Sequence, residues 1–296
     1  MKNKLSVVAV VVALVALVVP LLHSPDKGGE PAAKKETAFE RVMRTRTIRC
    51  AYALWPPFAM SDPNTGAKSG INHEVMEAIG KVANLKIEWL EEVGFGSFPD
   101  QLRSGKEDVF CTGAWMSVPR AQRIEYTAPI EYGVLYAYVR ENDARFDGKL
   151  ETLNDENVTM AVIDGNTSDA VTEAEFPKAK RYAVPSAADA AQLLLTVATG
   201  KGDAVIVDDF QISDYNAHNP SNKLRRVAGT PPLRTFGTAY AVAKGEWELR
   251  DLINVALSEL QLNGTVERII KKYETTPGSV VRVVKPYADP ARGENP

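Results

Sequence analysis

Cysteine and histidine are scarce in this sequence. The 296-residue chain holds two cysteines, Cys50 and Cys111, and three histidines, His23, His73 and His218. They are scattered, with no metal-ligand spacing, so no metal site is expected and no cofactor is implied. No histidine sits where it could activate a cysteine or serine, so neither a Cys-His nor a Ser-His-Asp set is legible. Runs of basic charge are missing too. Lysine and arginine number 35 against 38 acidic residues, for a net charge of −3, and no basic block follows the first few residues. That balance argues against a nucleic-acid partner.

What is present is an ordinary globular composition, 45% hydrophobic and 25% charged. It suffices for one large or two modest domains. Lys2 and Lys4 precede an apolar run over residues 5–22, broken only by Ser6 and Pro20. A charged start followed by an apolar core reads as an export signal. The run is intermediate between a signal peptide and a membrane span of ~20 residues. Leu21-Leu22-His23-Ser24 shows no small-x-small cleavage site, and no nearby cysteine could take a lipid. Residues 1–23 are therefore read as either a removed signal peptide or an N-terminal membrane anchor, and 24–36 as a linker rich in Pro, Gly, Lys and Glu.

Two α/β units follow. In the first, Phe39, Val42 and Met43 mark a helix, and Ile48-Arg49-Cys50-Ala51-Tyr52-Ala53 a strand. That strand ends at Trp55-Pro56-Pro57-Phe58, where the prolines forbid helix and central strand alike. Ile71, Val75, Met76, Ile79 and Val82 repeat at helical spacing. A strand over 85–90, a short helix stopped by Gly105 and the strand Val109-Phe110-Cys111 complete a βαβαβ order, which predicts a parallel sheet with helices on both faces. The second unit runs from a strand at 158–163 through helices near 168–175 and 187–199 to a strand at 203–207, ending in Asp208-Asp209. Extended stretches at 135–140 and 238–243 pass between the units as a two-segment hinge. Helices are expected at 248–262 and 265–273, and a loose tail from 276.

In open α/β sheets, ligands sit beyond the carboxyl ends of the strands. Here those ends carry Trp55 and Phe58, then Ser117 and Arg120, then Thr167 and Asp208. One cation, two hydroxyls, one carboxylate and an aromatic platform complement an α-amino acid. The planar guanidinium of Arg120 suits a carboxylate in a two-bond fork.

Several motifs then point to a family. Ile48-Arg49 with Pro57-Phe58 resembles a first strand and its PPF turn. Gly70-Ile71-Asn72-His73-Glu74 resembles GFDVD, and FPDQLRSGKED, from Phe98, is similar to LIPALQSGKYD. Ser117-Val118-Pro119-Arg120-Ala121 with Tyr126-Thr127-Ala128-Pro129 resembles TPERA…FSDPY. Gly202-Asp203-Ala204 with Asp208 resembles GDAVVxD, and Leu262-Asn263-Gly264-Thr265 with Ile269 and Lys272-Tyr273 resembles the closing helix pair. In this order they resemble the family 3 periplasmic solute-binding proteins of amino-acid ABC importers.

The resemblance implies an α/β, two-domain periplasmic-binding-protein-like fold of type II, with two doubly wound sheets joined by a two-segment hinge. Lobe 1 would comprise 37–136 plus 238–275, lobe 2 would comprise 137–237, and 276–296 would be a tail. It implies a monomer in the periplasm, exported by its N-terminus, that delivers an amino acid or related carboxylate to an inner-membrane ABC permease. Arg120 would grip the ligand carboxylate, with donors from Ser117 and Thr167. Asp208 would accept from the ammonium. Trp55 and Phe95 would wall the side-chain pocket, with Gly113 and Trp115 beside them.

The departures are specific. Trp115 stands where a small polar residue is common, Asn72 and Glu74 replace two aspartates, and Ile130 replaces a tyrosine. A bulky, apolar or non-amino-acid carboxylate therefore stays open as the ligand. A dehydratase on the same fold, with Glu173 or Glu74 as general acid, and a membrane-tethered sensor are the alternatives. Cys50 and Cys111 fall on neighbouring strands in an oxidising compartment. A bond between adjacent parallel strands is strained, so two buried thiols are expected rather than a disulfide.

Overall fold

A computed structural model describes residues 36–185 and 190–284. The apolar run at 5–22, read as a signal or anchor, lies outside them. No helix among the described residues is long and apolar enough to cross a membrane. The chain divides into a unit ending at Thr37 and a unit beginning at Ala38, and the following concerns the second.

The first half alternates helix and strand as periodicity predicts. Helix α1 (Ala38–Thr45) leads into β1 (Thr47–Tyr52), a small hairpin β2 (Met60–Ser61) and β3 (Lys68–Ser69), helix α2 (Ile71–Ala83), β4 (Lys86–Glu92), α3 (Phe98–Ser104) and β5 (Val109–Trp115). β1 pairs in parallel with both β4 and β5. Every residue of β5 up to Ala114 is buried, as expected for a strand covered on both faces. On one face, Val75, Met76 and Ile79 of α2 pack with Ile48, Val109 and Val242. On the other, Phe98 and Leu102 of α3 cover Ala51 and Phe110.

β5 runs through Thr112-Gly113-Ala114 to Trp115 instead of stopping at Cys111. Within this extension Gly113 adopts φ +84°, and a Cβ there would come within 2.6 Å of Asn72 Nδ2. Only glycine meets both demands without strain.

After the short α4 (Val118–Ala121) and β6 (Ile124–Tyr126), the long strand β7 (Glu131–Arg140) leaves the first half. The second half holds β8 (Thr159–Ile163), α5 (Thr167–Glu175), β9 (Lys180–Val184), α6 (Ala190–Ala198), β10 (Ala204–Asp208), α7 (Asp209–His218) and β11 (Leu224–Arg226). Strand β12 (Arg234–Ala243) returns, and α8 (Trp247–Leu262), α9 (Thr265–Tyr273) and β13 (Val281–Arg282) close the chain. β8 pairs in parallel with β9 and β10. The two crossing strands pair antiparallel, with Glu131 opposite Thr238 and Gly133 opposite Phe236. The hydrogen-bond ladder therefore runs unbroken in the order β4-β1-β5-β12-β7-β10-β8-β9. The two expected parallel units meet through an antiparallel seam.

Two expectations change. Cys50 and Cys111 form a disulfide, not two thiols. In the parallel register Cys50 sits opposite Val109, so Cys111 lies diagonally across, at a Cα–Cα distance of 5.6 Å. That spacing is the common one for a disulfide. The segment from 276 does not start as a loose tail. Val281 and Arg282 pair with Tyr132 and Glu131, and Arg282 forks onto Glu267 and Glu274.

Candidate functional site

The polypeptide turn after β1 sets the aromatic platform. Trp55 N–H donates to the Ala59 carbonyl at 2.8 Å, and Phe58 N–H donates back to the Trp55 carbonyl at 2.7 Å. This tight turn places the two rings 4.5 Å apart. Phe95, Trp115 and Phe210 then meet Trp55 at 5.8, 6.0 and 6.2 Å, all at steep angles. Trp115 in turn stacks flat on Phe236 at 5.2 Å and 9°. Phe210 and Phe236 were not legible as site residues. Phe210 is two residues beyond Asp208 on α7, and Phe236 is an alternating position of β12. Nothing in their local sequence reports what lies opposite.

Arg120 lies at the far end of β5, on α4. Its guanidinium donates to the carbonyls of Trp115 (3.4 Å) and Phe95 (3.3 Å) and sits 5.6 Å from the Phe98 ring centre. Tyr126 OH donates to the same Trp115 carbonyl at 3.1 Å. Among the described residues Arg120 forms no ion pair. Its charge is oriented by carbonyls and a ring but not neutralised, which suits it to an incoming anion. Ser117, in extended backbone, is the N-cap residue of α4.

Asp208 closes β10 and is 4% exposed. It stands at the N-cap of α7 but makes no capping bond, and its Oδ1 has no hydrogen-bond partner. Burial, with a smaller contribution from Asp209, pushes its carboxyl up to about 8. Trp115 Nε1 is also buried and unpartnered. Both atoms converge over Gly133, where a Cβ would lie 2.6 Å from the indole nitrogen and 3.5 Å from Asp208 Oδ1.

A second acid, Glu131, was missed. It is buried beside Asn72, whose amide reaches Glu131 Oε1 at 3.4 Å, and its Oε2 has no partner. Burial pushes its carboxyl up to about 8 against the Asn72 bond, and the Asp208 charge adds to the rise. Folding therefore keeps a proton that the unfolded chain would release. Stability is fully present below the ordinary carboxylate range and is lost as pH rises toward 8, by up to about 1.4 kcal/mol per pH unit from this group. Glu131→Gln should be more stable than the parent at pH 8 and equal to it at pH 4 in urea titrations. Equal stability at both values would show that Glu131 is not protonated in the fold.

The remaining expectations separate. Thr167 opens α5, but the capping side chain is Asn166, which accepts from Asp169 N–H at 2.9 Å. Among the described residues Thr167 makes no side-chain hydrogen bond. Gly113 is buried behind the cleft against Asn72, where its role is conformational. A cavity of about 250 Å³ is lined by Trp55, Phe58, Gly133, Asp208, Phe210 and Thr238, among others. Arg120, Ser117 and Thr167 do not line it. No group of histidine, cysteine and acidic residues that could hold a metal occurs among the described residues. Neither acid considered for dehydratase chemistry stands in this group. Burial raises the Glu74 carboxyl, but bonds from Lys272 and Tyr273 outweigh it and hold the group below its ordinary range. Glu173 is exposed on α5.

This arrangement can be set beside known proteins. The model of the bacterial extracellular solute-binding proteins, family 3, matches residues 48–276. The chain belongs to that family. Among relatives, the probable histidine-binding protein of Neisseria gonorrhoeae is 25% identical over 227 residues, covering 75% of this chain and 80% of that one. The L-arginine-binding protein of Pseudomonas aeruginosa is 24% identical over 230 residues, covering 75% and 85%. The crystal structure of the ancestral amino acid-binding protein AncCDT-1, a precursor of cyclohexadienyl dehydratase, matches with a TM-score of 0.68 at 22% identity. It covers 81% of this chain and 100% of that one. At that identity the match shows the fold alone, the type II periplasmic-binding-protein-like fold that the sequence resemblance implies.

Proposed function

We propose that this family 3 protein is an extracytoplasmic solute-binding protein. It captures an amino acid or related small carboxylate between lobe 1 (37–136 with 238–275) and lobe 2 (137–237). The carrying observation is a cation without an ion pair and a buried carboxyl with an unpartnered oxygen, each at or just beyond a strand end. Arg120 has no ion pair among the described residues, and Asp208 is buried with a free oxygen. Arg120 takes the carboxylate, with Ser117 and Thr167 as further donors, and Asp208 faces the cation. Trp55, Phe95 and Trp115 wall the remainder. The relatives' binding of arginine and histidine supports an amino-acid class of ligand. The disulfide supports an oxidising compartment, and the N-terminal apolar run supports export. The protein works as a monomer, without catalysis, and its partner is an ABC permease of the inner membrane.

Calorimetric titration of the full-length protein with an amino-acid panel tests this reading, and absence of heat with every member would end it. Asp208→Asn should weaken amino acids about tenfold or more and spare plain carboxylates, because only the cation's partner is lost. Equal losses for both would contradict the role given to Asp208.

A further inference from the structure

One edge of β7 is interrupted at the cavity beside Asp208. Leu135 pairs with both Arg234 of β12 and Asp208 of β10, so β12 and β10 lie on opposite edges of β7. Tyr132 pairs with both Gly237 of β12 and Val281 of β13, so β13 lies on the same edge as β10. Between them, Gly133 and Val134 have no strand partner on that edge among the described residues, and both line the cavity of about 250 Å³. At ~3.4 Å per residue the ladder is broken for ~10 Å, from Asp208 at one end to Val281 at the other. Continued in register, β13 would set Val280 against Gly133 and Ser279 against Val134. Those two residues line the cavity instead. The C-terminal segment is thus the wall across the gap from Asp208.

Two charged groups around this cavity, Asp209 and Arg226, answer each other. Arg226 Nη1 lies 3.9 Å from Asp209 Oδ2, its guanidinium sits over the Tyr136 ring at 4.4 Å, and Asp209 also accepts from Tyr138 OH. Three buried side-chain oxygens of the lining residues have no partner: Asp208 Oδ1, Thr238 Oγ1 and Ser279 Oγ. A primary ammonium brings three N–H donors that each need an acceptor. Ser279 is held firmly in place. Its own N–H donates to the Thr276 carbonyl at 3.0 Å, and the next N–H, of Val280, donates to Glu274 at 2.9 Å. The Val280 side chain is buried in the core, and Arg282 is fixed by Glu267 and Glu274. Only the hydroxyl of Ser279 is left to receive a donor.

We propose that Ser279 binds the ligand's cation together with Asp208 and Thr238, and that residues 278–282 are a fixed wall of the ligand site. The proposal rests on the reading of Asp208 as the partner of the ligand's ammonium.

The test is calorimetric titration of the full-length protein and of Ser279→Ala with α-amino acids and the des-amino carboxylate of each. Ser279→Ala should bind an amino acid about tenfold more weakly than the parent does, and the matching des-amino carboxylate equally well, because one bond from a charged donor is lost. Unchanged affinity for amino acids, or equal losses for both members of a pair, would overturn the role of Ser279 and leave the cleft reading standing. No binding of any amino acid by the parent would overturn both. Hydrogen exchange on the parent protein needs neither the variant nor the des-amino ligand. Saturation with the tightest-binding amino acid should slow the amides of Val280, Val281 and Arg282 several-fold, and unchanged exchange there would overturn the wall.

Discussion

Arg120→Ala abolishes ligand binding while leaving the fold intact: that is the largest functional effect expected. A carboxylate on a guanidinium fork gains two charge-assisted hydrogen bonds, each worth about 1.5–3 kcal/mol. Their joint loss weakens binding by a factor on the order of 10² or more. The side chain supports little else. It is tied to the carbonyls of Trp115 and Phe95 by long bonds and rests on Phe98 at 5.6 Å. The melting temperature should therefore shift little. Arg120→Lys should recover only a fraction of the affinity, because an ammonium cannot reproduce the planar fork. Arg103 is the internal control. It is 74% exposed and already paired with Asp100, so Arg103→Ala should leave affinity unchanged. Retained affinity in Arg120→Ala, measured by calorimetry, would reduce Arg120 to a surface charge.

The largest effect on stability is expected from the disulfide. Cys50 and Cys111 are 61 residues apart. A cross-link of that span removes about 4 kcal/mol of chain entropy from the unfolded state in the loop-closure account. Cys50→Ala with Cys111→Ala, or reduction of the parent protein, should lower unfolding stability by about that amount in denaturant titrations. The bond joins β1 to β5, the strands that lead to Trp55 and to Arg120. It thus fixes the platform relative to the cation as well as the core. An unfolding midpoint insensitive to reductant would show that the two sulfurs are not joined in solution. The double-alanine variant separates the lost cross-link from any effect of the reductant elsewhere.

Much of the fold was legible locally. Helix α2 follows from Ile71, Val75, Met76 and Ile79, because a 3.6-residue period states which face is buried without reference to the partner. Asp208 at the end of β10 and Arg120 just beyond β5 were singled out because strand ends of a parallel sheet face a common edge. The aromatic wall was half legible. Trp55 was marked by its prolines, whereas Phe210 and Phe236 sit in unremarkable helix and strand positions. The segment at 276–284 looked loose because its partners, β7 for pairing and Glu267 and Glu274 for Arg282, are contributed by other elements.

The amino-acid sequence by itself thus determined the α/β order and which polar and aromatic residues follow the strand ends. Each depends on neighbours within a turn or a strand. Only the tertiary structure decided that Cys50 and Cys111 are joined, and that Glu131 and Asp208 are buried acids on the neighbouring strands β7 and β10. It alone decided that Trp115 lies over Gly133 with its N–H beside a free carboxylate. These features depend on register between strands far apart in the chain. A shift of one residue turns every side chain to the opposite face, and local periodicity does not specify that register.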